Sequence, residues 1–246
     1  MFNASIRGLG LLNYEDSVVS GERHFLKTFL SLRKNPIVLD VGANEGSYAT
    51  SVLTVNRTAR VFAFEPHPKT FERLARSLSK VKGITAINAA CGSASGKLAL
   101  YDYFESSGSQ HASLRQGVIE QIHKRSSSHH LVDVIDLDTF AKEHNITSID
   151  LLKIDTEGYE YEVLKGAAHL VQENRIGAIQ FEFTQLNVVS RVFMRDFYEI
   201  LPNYNFSRML RNGLLPLGPY SPVGCELFAF QNIVALPNAI PFQHNI

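Results

Sequence analysis

Four carboxylates sit at or beside the ends of apolar runs: Asp40 in Ile37-Val38-Leu39-Asp40-Val41, Glu65 after Val61-Phe62-Ala63-Phe64, Asp155 after Leu151-Leu152-Lys153-Ile154, and Glu182 between Phe181 and Phe183. Short apolar runs bounded by Pro or Gly suit strands buried on both faces of a parallel sheet. Open α/β sheets bind ligands in the crevice outside the carboxyl ends of such strands. Acids gathered there can accept ligand hydroxyls, counter a cation or take up a proton. Lys153, flanked by apolar neighbours, is costly to bury unless it finds a partner.

The sharpest feature is Asp40-Val41-Gly42-Ala43-Asn44-Glu45-Gly46. Gly42 and Gly46 let backbone N–H groups approach a ligand closely. A dinucleotide fingerprint needs G-x-G-x-x-G, and Glu45 would repel a pyrophosphate. A P-loop is excluded because no Lys-Ser/Thr follows. The pattern suits a nucleoside cofactor without phosphates, S-adenosyl-L-methionine being the common one; its ammonium favours acids such as Asp40. The simpler alternative is that the glycines only make a tight strand-to-helix turn. Glu65 follows about 20 residues later, where an acid commonly meets a ribose diol; otherwise it is a solvated strand end.

Asp155 is expected over the reactive end of the cofactor, unless it or Thr156 merely caps the next helix. Glu182 reads equally as a base of raised pKa or as a partner of Lys153. Asp155, Glu157 and Glu182 together could alternatively hold a divalent cation. His111, His123, His129 and His130 lie in the irregular middle of the chain; His129-His130 lack the i, i+4 spacing of a metal pair, and no metal site is assigned.

The elements that must position these groups follow from periodicity. Helical spacing of Phe25, Leu26, Phe29, Leu30 and Leu32 predicts a helix within residues 15–34. Strands over 37–41, 61–65 and 84–90, with helices after Gly46 and after Pro68, make one half of a doubly wound α/β fold. Further strands are expected at 97–104, 131–137, 149–154 and 176–183. Helices are expected around Tyr161–Ala168 and Phe193–Leu201. Residues 204–210 and 227–236 form a final antiparallel pair joined by a Gly/Pro-rich linker over 212–224. Residues 105–130, rich in Ser, Gln and His, read as a long variable loop with a short helix near Val118–His123.

Composition narrows the class. The 246 residues carry 24 Lys+Arg and 24 Asp+Glu, so there is no basic excess of the kind nucleic-acid binders carry. Cys91 and Cys225 cannot build a disulfide framework or a Cys-rich zinc site, and read as buried thiols. No stretch reaches the roughly 18–20 apolar residues of a membrane span, and the N-terminus lacks a signal-peptide core. The expectation is one cytoplasmic domain over 1–246, with a helical lead-in at 1–35, and a homo-oligomer is compatible with it.

Together these residues resemble the FkbM family of S-adenosylmethionine-dependent methyltransferases. The matches are VLDVGANEGSY at 38–48, VFAFEPHPKTFERL at 61–74, INAACG at 87–92, IDLLKIDTEGYEYEVLKGA at 149–167 and IQFEFTQLNVVSRVFMRDFYEIL at 179–201. Residues 7–30 resemble the family's lead-in. The resemblance implies a class I Rossmann-like sheet, mostly parallel with an antiparallel last strand. It implies methyl transfer to a hydroxyl of a sugar, glycolipid or natural-product acceptor. By position, Asp40, Gly42, Ala43, Asn44 and Gly46 would frame the cofactor, with Tyr48 near them. Glu65 and Pro66 would meet the ribose, and Asn88, Ala89 and Ala90 would lie on the adenine side. Asp155 or Glu182 would act as base or orienter, with Lys153 fixing the carboxylates. The rivals are a nicotinamide-dependent oxidoreductase on a similar sheet and a non-catalytic cofactor-binding module.

Overall fold

The computed structural model describes residues 2–103, 113–114 and 127–238. Two helices lead in, α1 (Phe2–Gly8) and α2 (Glu22–Leu30). Strand β1 (Ile37–Val41), α3 (Ser47–Val55), β2 (Arg60–Phe64), α4 (Pro68–Leu78) and β3 (Ile84–Ile87) follow in alternation. Next come β4 (Ala90–Cys91), β5 (Gly96–Tyr103), β6 (Ser127–Ile135) and α5 (Leu137–Glu143). Alternation resumes with β7 (Leu151–Ile154), α6 (Glu160–Lys165), α7 (Ala168–Gln172) and β8 (Ile179–Phe183). The described residues close with α8 (Leu186–Ser190), α9 (Met194–Ile200), β9 (Tyr204–Leu210), β10 (Gly213–Pro216), α10 (Pro222–Cys225) and β11 (Gln231–Pro237).

Eight strands form one sheet in the order β10-β9-β11-β8-β7-β1-β2-β3. The pairs from β3 to β8 are parallel, and β11 inserts antiparallel between β8 and β9. This is the doubly wound, mostly parallel sheet expected, with its chain order reversing between β1 and β7. In register, Asp40 lies opposite Lys153, so a buried acid and a buried base are neighbours across β1 and β7.

The central strands are apolar on both faces because helices cover both. Val38, Leu39, Phe62, Phe64, Leu151, Leu152, Phe181 and Phe183 are all buried. Full burial of each such Phe contributes roughly 1.5–3 kcal/mol. A few of these side chains therefore offset the several kcal/mol per ion that the Asp40–Lys153 pair loses on desolvation.

Several boundaries differ from those expected from periodicity. The expected strand at 84–90 divides: β3 stays in the main sheet, and Ala90–Cys91 pairs with β6 in a second, three-stranded sheet, β4-β6-β5. Residues 127–130, expected as loop, pair with β5 through Leu100↔His130 and Tyr103↔Ser127. Ile135 ends that strand. Asp136 then caps an unforeseen helix, its carboxylate accepting from the Thr139 N–H at 2.8 Å. The expected linker over 212–224 contains β10 and α10. The expected helix within 15–34 is confined to 22–30, because a left-handed Gly21 (φ 91°) sets its start. Apart from residues 113–114, the remainder of the 105–130 segment, with the helix expected near Val118–His123 and with His111 and His123, lies outside the described residues.

Candidate active site

The carboxyl ends of β1, β2, β7 and β8 open into a cavity of about 1210 Å³. Gly42, Asn44, Tyr48, Glu65, Pro66, Ala89, Ala90, Lys153, Asp155 and Glu182 all line it. Asp40, Ala43 and Gly46, expected to frame the cofactor, and Asn88, expected on its adenine side, do not, and each has another task. Asn88 donates from Nδ2 to the carbonyls of Glu65 (2.9 Å) and Pro66 (3.2 Å), bracing the loop after β2.

The turn after β1 is held by its own backbone. The N–H groups of Gly42 and Ala43 donate to the Phe64 carbonyl at 3.0 and 2.9 Å, and Gly46 donates to Ala43 at 2.8 Å. Gly42 (φ 82°) must be glycine twice over. Its backbone is left-handed, and a Cβ there would collide with the Asp155 carbonyl oxygen. That close approach brings Asp155 up against the turn, and its N–H donates to Val41 at 2.9 Å. Three amides of the turn are thus already spent on the fold, and a fourth, Asn44, donates to Glu65.

Glu65 is buried. Its Oε2 accepts from the Asn44 N–H at 3.0 Å and its Oε1 from the His67 N–H at 2.8 Å. Burial pushes its pKa up to about 7, against the lowering effect of those two amides. His67 is buried in turn, its Nε2 3.3 Å from Oδ2 of buried Asp102 and its ring 5.0 Å from that of His130.

Asp40 is completely buried behind the cavity wall, and neither of its oxygens has a hydrogen bond among the described residues. Its role is electrostatic. Lys153 Nζ stands 3.7 Å from Asp40 Oδ1, 3.0 Å from Asp155 Oδ2 and 5.0 Å from the centre of the Tyr48 ring. Burial works against the Lys153 ammonium, but Asp155, Asp40 and Glu22 outweigh it and hold its pKa above the ordinary value. Burial raises Asp40 to about 6, with Lys153 pulling it back down. Lys153 therefore fixes Asp155 while cancelling the charge beneath it.

Asp155 is about a third exposed and faces the cavity. Capping of the next helix does not explain the segment: α6 has no side-chain cap, and Glu160 organises the loop instead. Buried Glu160 Oε1 accepts from the Thr156 N–H (3.0 Å), the Thr156 hydroxyl (3.1 Å) and the Gly158 N–H (3.1 Å).

Glu182 points to the cavity, whereas Phe181 and Phe183 point into the core, as alternation along a strand requires. Burial, and then the charges of Asp155 and Glu157, push its pKa well above the carboxylate range. Lys153 makes its ion pairs with Asp155 and Asp40.

Residues that periodicity gave no reason to select complete the wall. The Tyr48 hydroxyl donates to Gln180 Oε1 at 2.7 Å, and Gln180 Nε2 donates to Glu22 Oε1 at 2.7 Å. This buried chain ties α3 and β8 to the first turn of α2. Leu12, Tyr14, Asp16, Phe228, Phe230 and Asn232 close the same side of the cavity. A strand-interior Gln180 among apolar neighbours was the one available sequence signal, since a buried amide needs partners.

A model of the methyltransferase FkbM domain matches residues 40–208, more than half of the chain. The chain is 23% identical over 192 residues to the 2-O-methyltransferase NoeI of Sinorhizobium fredii, covering 74% of this chain and 77% of that protein. It is 27% identical over 154 residues to the hexuronic acid methyltransferase AglP of Haloferax volcanii, covering 62% of this chain and 59% of that protein. Among solved structures it is similar to precorrin-6y C5,15-methyltransferase from Geobacter metallireducens, at 13% identity and a TM-score of 0.48 over 87% of each chain. The matched stretch begins at Asp40 and takes in Glu65, Lys153, Asp155 and Glu182, and the chain belongs to the FkbM methyltransferase family.

Proposed function

We propose that this protein transfers a methyl group from S-adenosyl-L-methionine to a hydroxyl of a sugar or a related small-molecule acceptor. The observation that carries the reading is the set of carboxylates Glu65, Asp155 and Glu182 lining one cavity at the ends of β2, β7 and β8, with Lys153 fixing the middle one. The activities of the relatives support the reading: a 2-O-methyltransferase suggests an oxygen nucleophile, and a hexuronic acid methyltransferase suggests a sugar acceptor.

The residues fit the cofactor. An ionised carboxylate offers about four lone-pair sites, and Glu65 spends two on Asn44 and His67. Two remain for the two hydroxyls of a ribose. Lys153 beside the turn is already paired with Asp155 and Asp40, and the acids around Gly42 suit a sulfonium, not a pyrophosphate. When bound, the cofactor supplies an electrophilic methyl group, so much of the catalysis is in-line positioning.

An alcohol nucleophile must still lose its proton. Asp155, held by Lys153 and open to the cavity, is placed to accept it at Oδ1 or to orient the hydroxyl. Glu182, whose burial favours the protonated form, is placed to donate a hydrogen bond to an acceptor oxygen when it carries that proton. The test is transfer of labelled methyl from S-adenosyl-L-methionine to a panel of glycans and hydroxylated small molecules. Label in the acceptor supports the reading, and labelling that is unchanged in Asp155→Asn removes Asp155 from the mechanism.

A further inference from the structure

The cavity has two sides, separated by strand order. Glu65, Pro66, Ala89 and Ala90 line the side beyond β2 and β3, whereas Glu182, Phe228 and Phe230 line the side beyond β8 and the start of β11. Three interstrand steps separate β2 from β8, about 14 Å at about 4.8 Å per step. A nucleoside held by Glu65 therefore leaves the β8–β11 side for the second substrate.

That side is aromatic. Tyr14 is 62% exposed yet lines the cavity, and its ring meets Phe230 edge-on, with centroids 5.8 Å apart and planes at 82°. The pair is pinned by its backbone, the Leu12 N–H donating to the Phe230 carbonyl at 2.8 Å. Phe228 packs beside it against Phe183 and Phe193. Hydrogen-bonding groups lie next to these rings: Glu182 and Asn232 are register partners on β8 and β11, and both line the cavity. The charge there is one-sided among the described residues. Glu182 aside, Asp16, Glu22, Asp155 and Glu157 line the cavity against Arg23 and Lys153, and Lys153 is already paired with Asp155 and Asp40.

We infer that the Tyr14–Phe230 corner is the acceptor subsite and that it takes a neutral pyranose ring in preference to a uronate. The inference rests on the methyl-transfer reading and adds the acceptor class to it. The C–H face of a pyranose is apolar with slightly positive hydrogens, which suits the negative face of an aromatic ring. Its edge hydroxyls can then bond to Glu182 and Asn232. A sugar carboxylate would give up hydration there and meet like charges in a partly desolvated site. Tyr14, Phe228 and Phe230 all lie outside the stretch matched by the family model, where acceptor choice can differ from that of relatives.

The test compares methyl β-D-glucopyranoside with methyl β-D-glucuronide, which differ only at C6. Saturation-transfer NMR measures both on the full chain with excess S-adenosylhomocysteine, after calorimetry has established that S-adenosylhomocysteine binds. The expected result is that the neutral glycoside binds at least about fivefold more tightly than the glucuronide. Tyr14→Leu, at an exposed position that tolerates change, weakens the neutral glycoside about fivefold without altering S-adenosylhomocysteine affinity. Equal or tighter glucuronide binding, no binding of either glycoside, or an unaffected Tyr14→Leu variant overturns this inference alone. No binding of S-adenosylhomocysteine overturns the methyl-transfer reading and this inference with it.

Discussion

On the β1–β3 side of the cavity the wall is made of backbone. Gly42 and Ala43 donate to Phe64, Asn44 and His67 donate to Glu65, and Asn88 braces the two carbonyls beyond it. On the β8–β11 side the wall is made of side chains. Tyr48, Gln180 and Glu22 form one hydrogen-bonded chain, and Tyr14 and Phe230 meet ring to ring. Backbone construction fixes residue types narrowly, because a Cβ or a lost N–H breaks it at once. Side-chain construction allows many solutions with the same outline. The first suits a constant cofactor and the second a variable acceptor.

That contrast can be broken by experiment. The largest effect is expected where the two sides meet. Asp155→Asn lowers turnover by about 10²–10⁴-fold, the usual worth of a positioned acid or base, with S-adenosylhomocysteine affinity changed by less than about twofold. Steady-state kinetics with calorimetry reads both. Lys153→Met comes next: it strands the charge of fully buried Asp40 and should destabilise the fold by about 3–5 kcal/mol, read by denaturant unfolding. Gly42→Ala forces a Cβ into the Asp155 carbonyl and should cost about 3 kcal/mol of stability, together with cofactor binding. Glu65→Gln keeps the shape but loses charged acceptors, and should weaken S-adenosylhomocysteine about tenfold while leaving acceptor binding unmoved.

The smallest effect is on pH dependence, and its two parts have opposite signs. Burial raises Glu65 and Glu160 to about 7 and Asp40 to about 6, above their unfolded values. Between about pH 4.5 and 7 the folded protein therefore binds more protons than the unfolded chain, so these groups make the ligand-free fold less stable as pH rises through that window. If Glu65 holds the ribose as proposed, binding needs its ionised form, so S-adenosylhomocysteine affinity should rise over the same window. Melting temperature with and without ligand, from pH 5.5 to 8, checks both. The dependence of affinity on pH should flatten in Glu65→Gln.

The same contrast explains what could be read from the sequence. Val38-Leu39 before Asp40, Val61-Phe62 before Glu65 and Leu151-Leu152 before Asp155 announce buried parallel strands, because strands covered on both faces carry continuous apolar runs. The acids at their ends then fall on one edge without further information. Asp40 shows the limit of that logic. It occupies the expected strand, but alternation turns its side chain inward, where it serves Lys153 instead of facing a ligand. Glu22, Gln180 and Phe230 come from segments far apart in the chain, brought together when β11 inserts beside β8. No local period encodes that insertion. Short β10 and α8 were missed because four or five residues carry too little periodicity to separate them from loop.

Calorimetric titration of the protein with S-adenosylhomocysteine and, separately, with NAD tests the central claim most directly. The account predicts one S-adenosylhomocysteine bound per chain, weakened about tenfold by Glu65→Gln, and no binding of NAD. Binding of NAD alone, or S-adenosylhomocysteine binding that Glu65→Gln leaves untouched, would contradict it.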